Sequence, residues 1–332
     1  MTAAPAAAAA VPHAQWDRAA DAGWSKVGLA QLDLQLGAGD SAALMIVQGG
    51  QIVHEWGDTA RPYHCHSIRK SMLAVIMGED VDAERIRLDA TLAELGIDDN
   101  EGLTDRERQA TVYDLLTARS GVYHPAGYET GWMQSIKEAR HSHGPGTFWC
   151  YNNWDFNALG SIFVQATGKS VGNAFATRIA RPIGMEDFDL TGAQPSAWTE
   201  SFAESRHDAY PFRLSARDLA RFGLLCLRGG DWLDTPLVRS GWMADCLRRY
   251  SHAGTRGAYG YMWWLERDGV LFPGVHMPTG SYAAFGAGGH YCVVIPDRDL
   301  VVVHRVDTDT TGRQVDPHRF GALMRVLLEA AP

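Results

Sequence analysis

The chain is short of lysine. Only Lys26, Lys70, Lys137 and Lys169 occur in 332 residues, so arginine carries nearly all of the 30 positive charges. Arginine does not give up its proton, so a side chain that is to be both cation and base must be one of those four. Blocks of positive charge are missing as well. The net charge is −9 and no run of Lys or Arg appears, which excludes nucleic acid and anionic membrane surfaces as expected partners. No apolar stretch approaches the roughly 20 residues that span a bilayer. The start, "MTAAPAAAAAVPHAQW", has no Lys or Arg ahead of its apolar part. It reads as a flexible leader over residues 1–15 and not as a secretory signal. Cysteine is scarce: Cys65, Cys150, Cys226, Cys246 and Cys292 are odd in number, widely spaced and without a CxxC. That pattern predicts reduced, buried thiols and a cytoplasmic location.

What is present is an ordinary globular composition, 46% hydrophobic and 21% charged, in a length that fits one large domain or two packed together. "AALMIVQGGQIVHEW" reads as a β-hairpin turning at Gly49-Gly50. "HYCVVIPDRDLVVVHRV" reads as a second hairpin turning at Pro296–Asp299, and the tail "PHRFGALMRVLLEAA" has helical spacing. Between them, "SIRKSMLAVIM" places Ile68, Met72, Val75 and Ile76 on one face of an amphipathic helix. "TVYDLLTARSG" predicts a helix ending at Gly121, "NNWDFNALGSIFVQATGKS" one closed by Gly168, and "SARDLARFGLLCLRGG" one with a Ser215/Asp218 capping box. The expected class is α/β (α+β): an antiparallel sheet built from both chain ends and flanked by helices, with an inserted, mostly helical subdomain. Residues 16–75 and 206–332 would form the sheet domain and residues 76–205 the helical one.

Three segments carry chemistry. Ser67 opens a helix and Lys70 follows three residues on, which places both on one helical face. A serine hydroxyl needs a base to become a nucleophile, and lysine serves only if burial or neighbouring cations lower its pKa. Alone, S-x-x-K also describes a capping serine followed by a surface lysine. Tyr151-Asn152-Asn153 supplies a phenol, as tyrosinate a general base, and an amide that both donates and accepts. "FGAGGHY", from Phe285 to Tyr291, has the small residues that let a substrate approach a strand edge and its N–H groups.

Taken in this order, the segments resemble those of the serine β-lactamase/penicillin-binding-protein superfamily, in its class C β-lactamase-like esterase and amide-hydrolase branch. The resemblance runs from about Ala42 to Asp307 and includes "LLTARSGV", "PGTFWCYNNWDFNALGSIFVQATGKS", "SARDLARFGLL" and "YGYMWW". It implies that Ser67 is acylated, that Lys70 accepts or relays its proton, and that Tyr151 acts as base and then protonates the leaving group. It further implies an oxyanion hole from the N–H groups of Ser67 and Gly289, with Asn153 and Gly288 binding substrate. The lactamases carry a cation where this chain has Gly286. The Gly-x-Gly-Gly form is similar instead to family VIII-type esterases and 6-aminohexanoate-oligomer hydrolases, and argues against β-lactams as substrates. His290 and Tyr123 are further candidates for substrate contact.

His64, Cys65 and His66, with His141 and His143, are metal-ligating types, but alternation along a strand would point neighbours to opposite faces. No metal and no cofactor are expected. The aromatics Tyr123, Trp132, Trp149, Trp154, Trp263, Trp264, Tyr282 and Phe285 divide between core and cleft lining. The expected activity is serine-dependent hydrolysis of a small-molecule ester or amide. An amine acceptor in place of water, making the enzyme a transacylase, is one alternative. A non-catalytic binding module on the same fold is another.

Overall fold

Gly49 and Gly50 both take positive φ, 60° and 76°, and fold strand β1 (Ser41–Gln48) back onto β2 (Gln51–Gly57). The computed structural model describes residues 23–332; the expected leader lies outside them. The remaining strands of the main sheet come from the other end of the chain. They are β3 (Ser251–His252), β4 (Ala258–Tyr259), β5 (Trp264–Leu265), β6 (Tyr282–Gly286), β7 (His290–Ile295) and β8 (Leu300–Val306). Their order is β2-β1-β8-β7-β6-β5-β4-β3, antiparallel throughout. The join between the two chain ends is the β1/β8 ladder, where Met45 faces Val303 and Ile46 faces Val302.

Alternation along β7 shows how the sheet is covered. Tyr291 stacks on Phe320, 3.9 Å between ring centres, which seats helix α5 (Pro317–Ala330) on one face. The next residue, Cys292, faces Gly223 of helix α4 (Ala216–Leu227) on the other. A Cβ on Gly223 would come within 2.6 Å of Val301, so the glycine lets α4 lie directly on the strands. Helix α1 (Lys26–Gly37) packs beside α5. Helix α2 (Ile68–Asp82) runs between the sheet and helix α3 (Asn153–Thr167). The expected division at residues 75/76 falls inside α2. No helix among the described residues is long and apolar enough to cross a membrane.

Several expectations need correction. Helix α2 has no solvent face over most of its length: every residue from Ile68 to Gly78 is buried, including the polar Arg69, Lys70 and Ser71. The helix expected to end at Gly121 covers only Val112–Leu116, because Ala118 turns left-handed at φ 56°. At α4, Ser215 does cap the helix, accepting from Asp218 N at 3.1 Å. The Asp218 carboxylate does not reach back; it accepts from the backbone N–H groups of Glu186 and Asp187 instead.

Candidate active site

Ser67 stands at the N-cap of α2 but does not cap it: no backbone N–H of the helix reaches its hydroxyl. Its Oγ lies 2.6 Å from Lys70 Nζ, and the same amine lies 3.1 Å from Tyr151 OH. Lys70 is 1% exposed, so the surface-lysine reading of S-x-x-K fails. The amine is walled by aromatic rings, 4.8 Å from the centre of Tyr151 and 4.9 Å from Phe156. Among the described residues no carboxylate pairs with it. Burial, and then the charge of Arg69, pushes the Lys70 pKa far below the usual lysine range. Burial raises the Tyr151 phenol to about 12, against smaller opposing effects from the Ser67 hydrogen bond and from Arg69 and Arg256. An amine whose charge is disfavoured by burial and a neutral phenol therefore face the serine.

The turn that delivers Ser67 is held from β8 and the residues after it. His66 takes φ 46°, in the left-handed region, immediately before the serine. Its backbone N–H donates to His64 Nδ1 at 3.0 Å, and the two imidazoles pack 4.3 Å apart. The strand ends at His64, so the expected alternation through His66 does not occur. Thr308 Oγ1 sits between His66 Nε2 at 2.8 Å and His290 Nε2 at 3.2 Å. Arg305, fully buried in β8, donates to the carbonyls of Tyr63 at 2.7 Å and Leu214 at 3.2 Å. Burial lowers His64 to about 4 and His66 to about 3, and holds His290 well below the usual histidine range. These imidazoles are neutral.

The glycines of the third segment are there for close approach. A Cβ on Gly286 would lie 2.6 Å from the Cys65 carbonyl oxygen, and one on Gly289 2.5 Å from that of Val315. Gly288 and Gly289 also take φ of 83° and 101°. The Gly289 carbonyl is 2.6 Å from His304 Nδ1, and Ser41 Oγ is 2.8 Å from His304 Nε2. A carbonyl only accepts, so His304 carries its proton on Nδ1 and accepts a hydrogen bond from the Ser41 hydroxyl at Nε2.

Ser67, Tyr151 and the strip Gly286–Gly289 open onto one cleft of about 340 Å³. Trp132, Trp264, Phe285 and Tyr291 form its apolar walls, Arg256 contributes a cation, and residues 314–317 close one side. A second cleft, of about 520 Å³, lies beyond Trp132 and Arg256, which line both. Of the expected site residues, Lys70 lies behind Ser67, and Gly288 and Gly289 are in the lining. Tyr123, Asn153 and His290 are not. Tyr123 is buried and packs edge-on against His143. Asn153 is buried at the start of α3 and donates to the Gly127 carbonyl at 3.0 Å, with its own Oδ1 unpartnered. His290 points at Thr308. His141 and His143 are engaged elsewhere, His143 stacked 4.0 Å from Phe148. The sequence reading missed Thr308, His304, Arg256 and residues 314–317. None belongs to a motif, and only the glycines flanking Arg256 in "AGTRGAYG" hint at a special turn.

The family model for Beta-lactamase matches residues 30–321. Esterase EstB of Burkholderia gladioli is 27% identical over 174 residues; that stretch is 46% of this chain and less than half, 43%, of the esterase. Solved structures with the same fold include a Bacillus anthracis protein provisionally assigned as a 6-aminohexanoate-dimer hydrolase. It has a TM-score of 0.69 at 20% identity, over 96% of this chain and 89% of that one. The octameric penicillin-binding protein homologue from Pyrococcus abyssi aligns with a TM-score of 0.67 at 18% identity, over 92% and 78%. EstCE1, a hydrolase with promiscuous acyltransferase activity, aligns with 0.63 at 15%, over 92% and 97%. With the family match spanning most of the described chain and every segment of this cleft, the protein belongs to the Beta-lactamase family and is an enzyme of its serine hydrolase/acyltransferase kind.

Proposed function

We propose that the protein cleaves a small-molecule ester or amide through an acyl-Ser67 intermediate. The observation that carries this reading is the buried Lys70 amine within hydrogen-bond reach of both Ser67 and Tyr151. With its pKa lowered by burial, Lys70 Nζ takes the Ser67 proton as Oγ bonds to the carbonyl carbon. The carbonyl oxygen becomes an oxyanion facing the N–H groups of Ser67 and Gly289. As the bond to the leaving group breaks, Tyr151 OH protonates the departing oxygen or nitrogen, and the Lys70 ammonium returns a proton to Tyr151. Water then enters, gives its proton by the reverse route, and releases the acid. The positive end of α2 behind Ser67 favours the anionic steps.

Arg69 belongs to the scaffold of this arrangement. Its guanidinium is taken up by Asn157 Oδ1 at 2.8 Å and by the Tyr210 ring at 4.3 Å. Transfer of the acyl group to an amine is a second reading, supported by the adjoining cleft behind Trp132 and Arg256, where an acceptor has room. A fluorophosphonate tests the common step. The expected result is one covalent mass increment on Ser67, absent from Ser67→Ala. An unlabelled wild-type protein would count against the acyl-enzyme. Adding a primary amine during ester turnover and measuring amide against acid separates the two fates.

A further inference from the structure

The arginines of this protein pair with carboxylates as a rule: Arg61 with Asp307, Arg178 with Asp80, Arg213 with Asp309, Arg217 with Asp187, Arg228 with Asp299, Arg239 with Asp82. Arg69 and Arg305, both buried, lack a carboxylate but are held by side-chain or backbone oxygens. Arg256 has neither. It ends the short turn Gly254–Arg256, and its guanidinium carbon lies 4.0 Å from the centre of the Trp132 ring and 5.4 Å from that of Trp264. Among the described residues no carboxylate pairs with it and no hydrogen bond is made by its five N–H groups. The guanidinium lies against the two indoles and lines the cleft, with its N–H groups unpartnered.

Two acids lie nearby, and both are committed elsewhere. Asp316, also in the lining of the cleft, caps α5 by accepting from the N–H groups of His318 and Arg319. Glu138, in the adjoining cleft, faces His143 at 3.6 Å.

We propose that Arg256 is an anion anchor, and that the ester or amide cleaved in this cleft carries a carboxylate remote from its scissile carbonyl. This rests on the serine acyl-transfer reading above. Trp132 and Trp264 each pack on Tyr151, at 5.8 and 5.1 Å, so the guanidinium is one ring layer away from the phenol. An anion held there is separated from the carbonyl at Ser67 by an apolar spacer lying along Trp264 and Phe285, themselves stacked at 5.1 Å. The site differs from the cation of the lactamase third motif. At Gly286 the Cys65 carbonyl leaves no room for a side chain, and the positive charge enters from the turn before β4 instead. Partial burial of Arg256 strengthens its pull on a carboxylate, because less water competes for it.

Two ester pairs test the proposal, one for each half of the substrate. The first is mono-p-nitrophenyl adipate against p-nitrophenyl hexanoate; the second is 4-carboxyphenyl hexanoate against 4-carbamoylphenyl hexanoate. In at least one pair the wild-type kcat/KM favours the anion by about tenfold or more, carried mainly in KM. Arg256→Gln abolishes that preference, and Arg256→Lys keeps part of it. Wild-type enzyme with no anionic preference in either pair would overturn the proposal, whatever the variants do. So would an Arg256→Gln enzyme that slows both members of a pair equally, which is what loss of packing alone would produce. Failure of the acyl-serine reading shows separately, as turnover of the neutral esters that survives Ser67→Ala.

Discussion

The floor and the rim of the cleft each hold a basic side chain without a carboxylate, and the two are built for opposite ends. Lys70, on the floor, is enclosed by two aromatic rings and faces only hydroxyls. Burial there works against its charge and leaves a base. Arg256, at the rim, lies against two indoles with its N–H groups unpartnered. A guanidinium stays protonated even when partly buried, so the same kind of desolvation leaves a fixed charge with little water on it. Burial is therefore read through the side chain's own chemistry: it turns an amine into a reagent and a guanidinium into a landmark. On the proposed mechanism, this accounts for a lysine at the one position that must titrate in a chain that otherwise prefers arginine.

The comparison breaks most completely if the floor loses its nucleophile. Ser67→Ala is expected to lower kcat/KM for p-nitrophenyl hexanoate by at least about 10³-fold while far-ultraviolet circular dichroism stays unchanged. Lys70→Arg is sharper, since it installs a permanent cation and removes the base; a loss approaching about 10³-fold is expected, and turnover near wild type would show that charge alone suffices. Tyr151→Phe leaves nucleophile and base in place and removes the proton donor, for a loss of about 10²-fold or more. That loss should be smaller for a p-nitrophenyl ester, whose leaving group needs little protonation, than for an amide.

The pH profile gives a milder test. With the Lys70 pKa depressed and Tyr151 raised to about 12, kcat/KM should rise through a pKa well below the usual lysine value and show no alkaline fall below about pH 10. An acid limb centred near that usual value would contradict a depressed Lys70 pKa.

The smallest effects are on stability. The folded pKa of Lys70 is lowered below its unfolded value, so the unfolded state binds protons more readily and folding works against this residue below its unfolded pKa. Lys70→Met should raise the thermal midpoint at pH 7, and the gain should shrink as pH approaches the unfolded lysine value. The histidines behind Ser67 act in the acid range. His64 and His66 have folded pKa values of about 4 and 3, so the unfolded state binds more protons below the ordinary histidine pKa. Stability is full above about pH 6.5 and falls as the pH drops below it, which a series of melting curves from pH 7 to pH 4 would register.

Much of this site was legible because it is local. The S-x-x-K spacing joins Ser67 to Lys70 within one helical turn, and the glycine strip announces a close backbone approach. Both hairpins and the closing glycine of α3 followed from turn and cap chemistry. What escaped the sequence depends on contacts between distant segments. Thr308 matters because it meets His66 and His290 in space. Asn153 is drawn to the Gly127 carbonyl, which no spacing could reveal. Arg256 looks like any surface arginine until the rings beside it and the missing acid are seen. The α2 prediction failed in a related way: a face can be declared polar from sequence only when nothing packs against it, and here the sheet, α3 and the Trp242 ring over Gly78 cover the helix.

The ladder between β1 and β8 has a consequence for how the protein is made. During synthesis β1 emerges early, with Leu44, Met45, Ile46 and Val47 all destined for the interior, and it can pair at once only with β2. Its other edge waits for Leu300–Val306, as do the carbonyls that Arg305 gathers, and the turn at His66 waits for Thr308. Closing so long a loop is slow, and the nascent chain meanwhile carries an apolar strand with an open edge. A ribosome-bound chain halted before residue 300 should be a strong chaperone client and should not react with fluorophosphonate, whereas the released full chain should acquire both its solubility and its reactive serine in one late step.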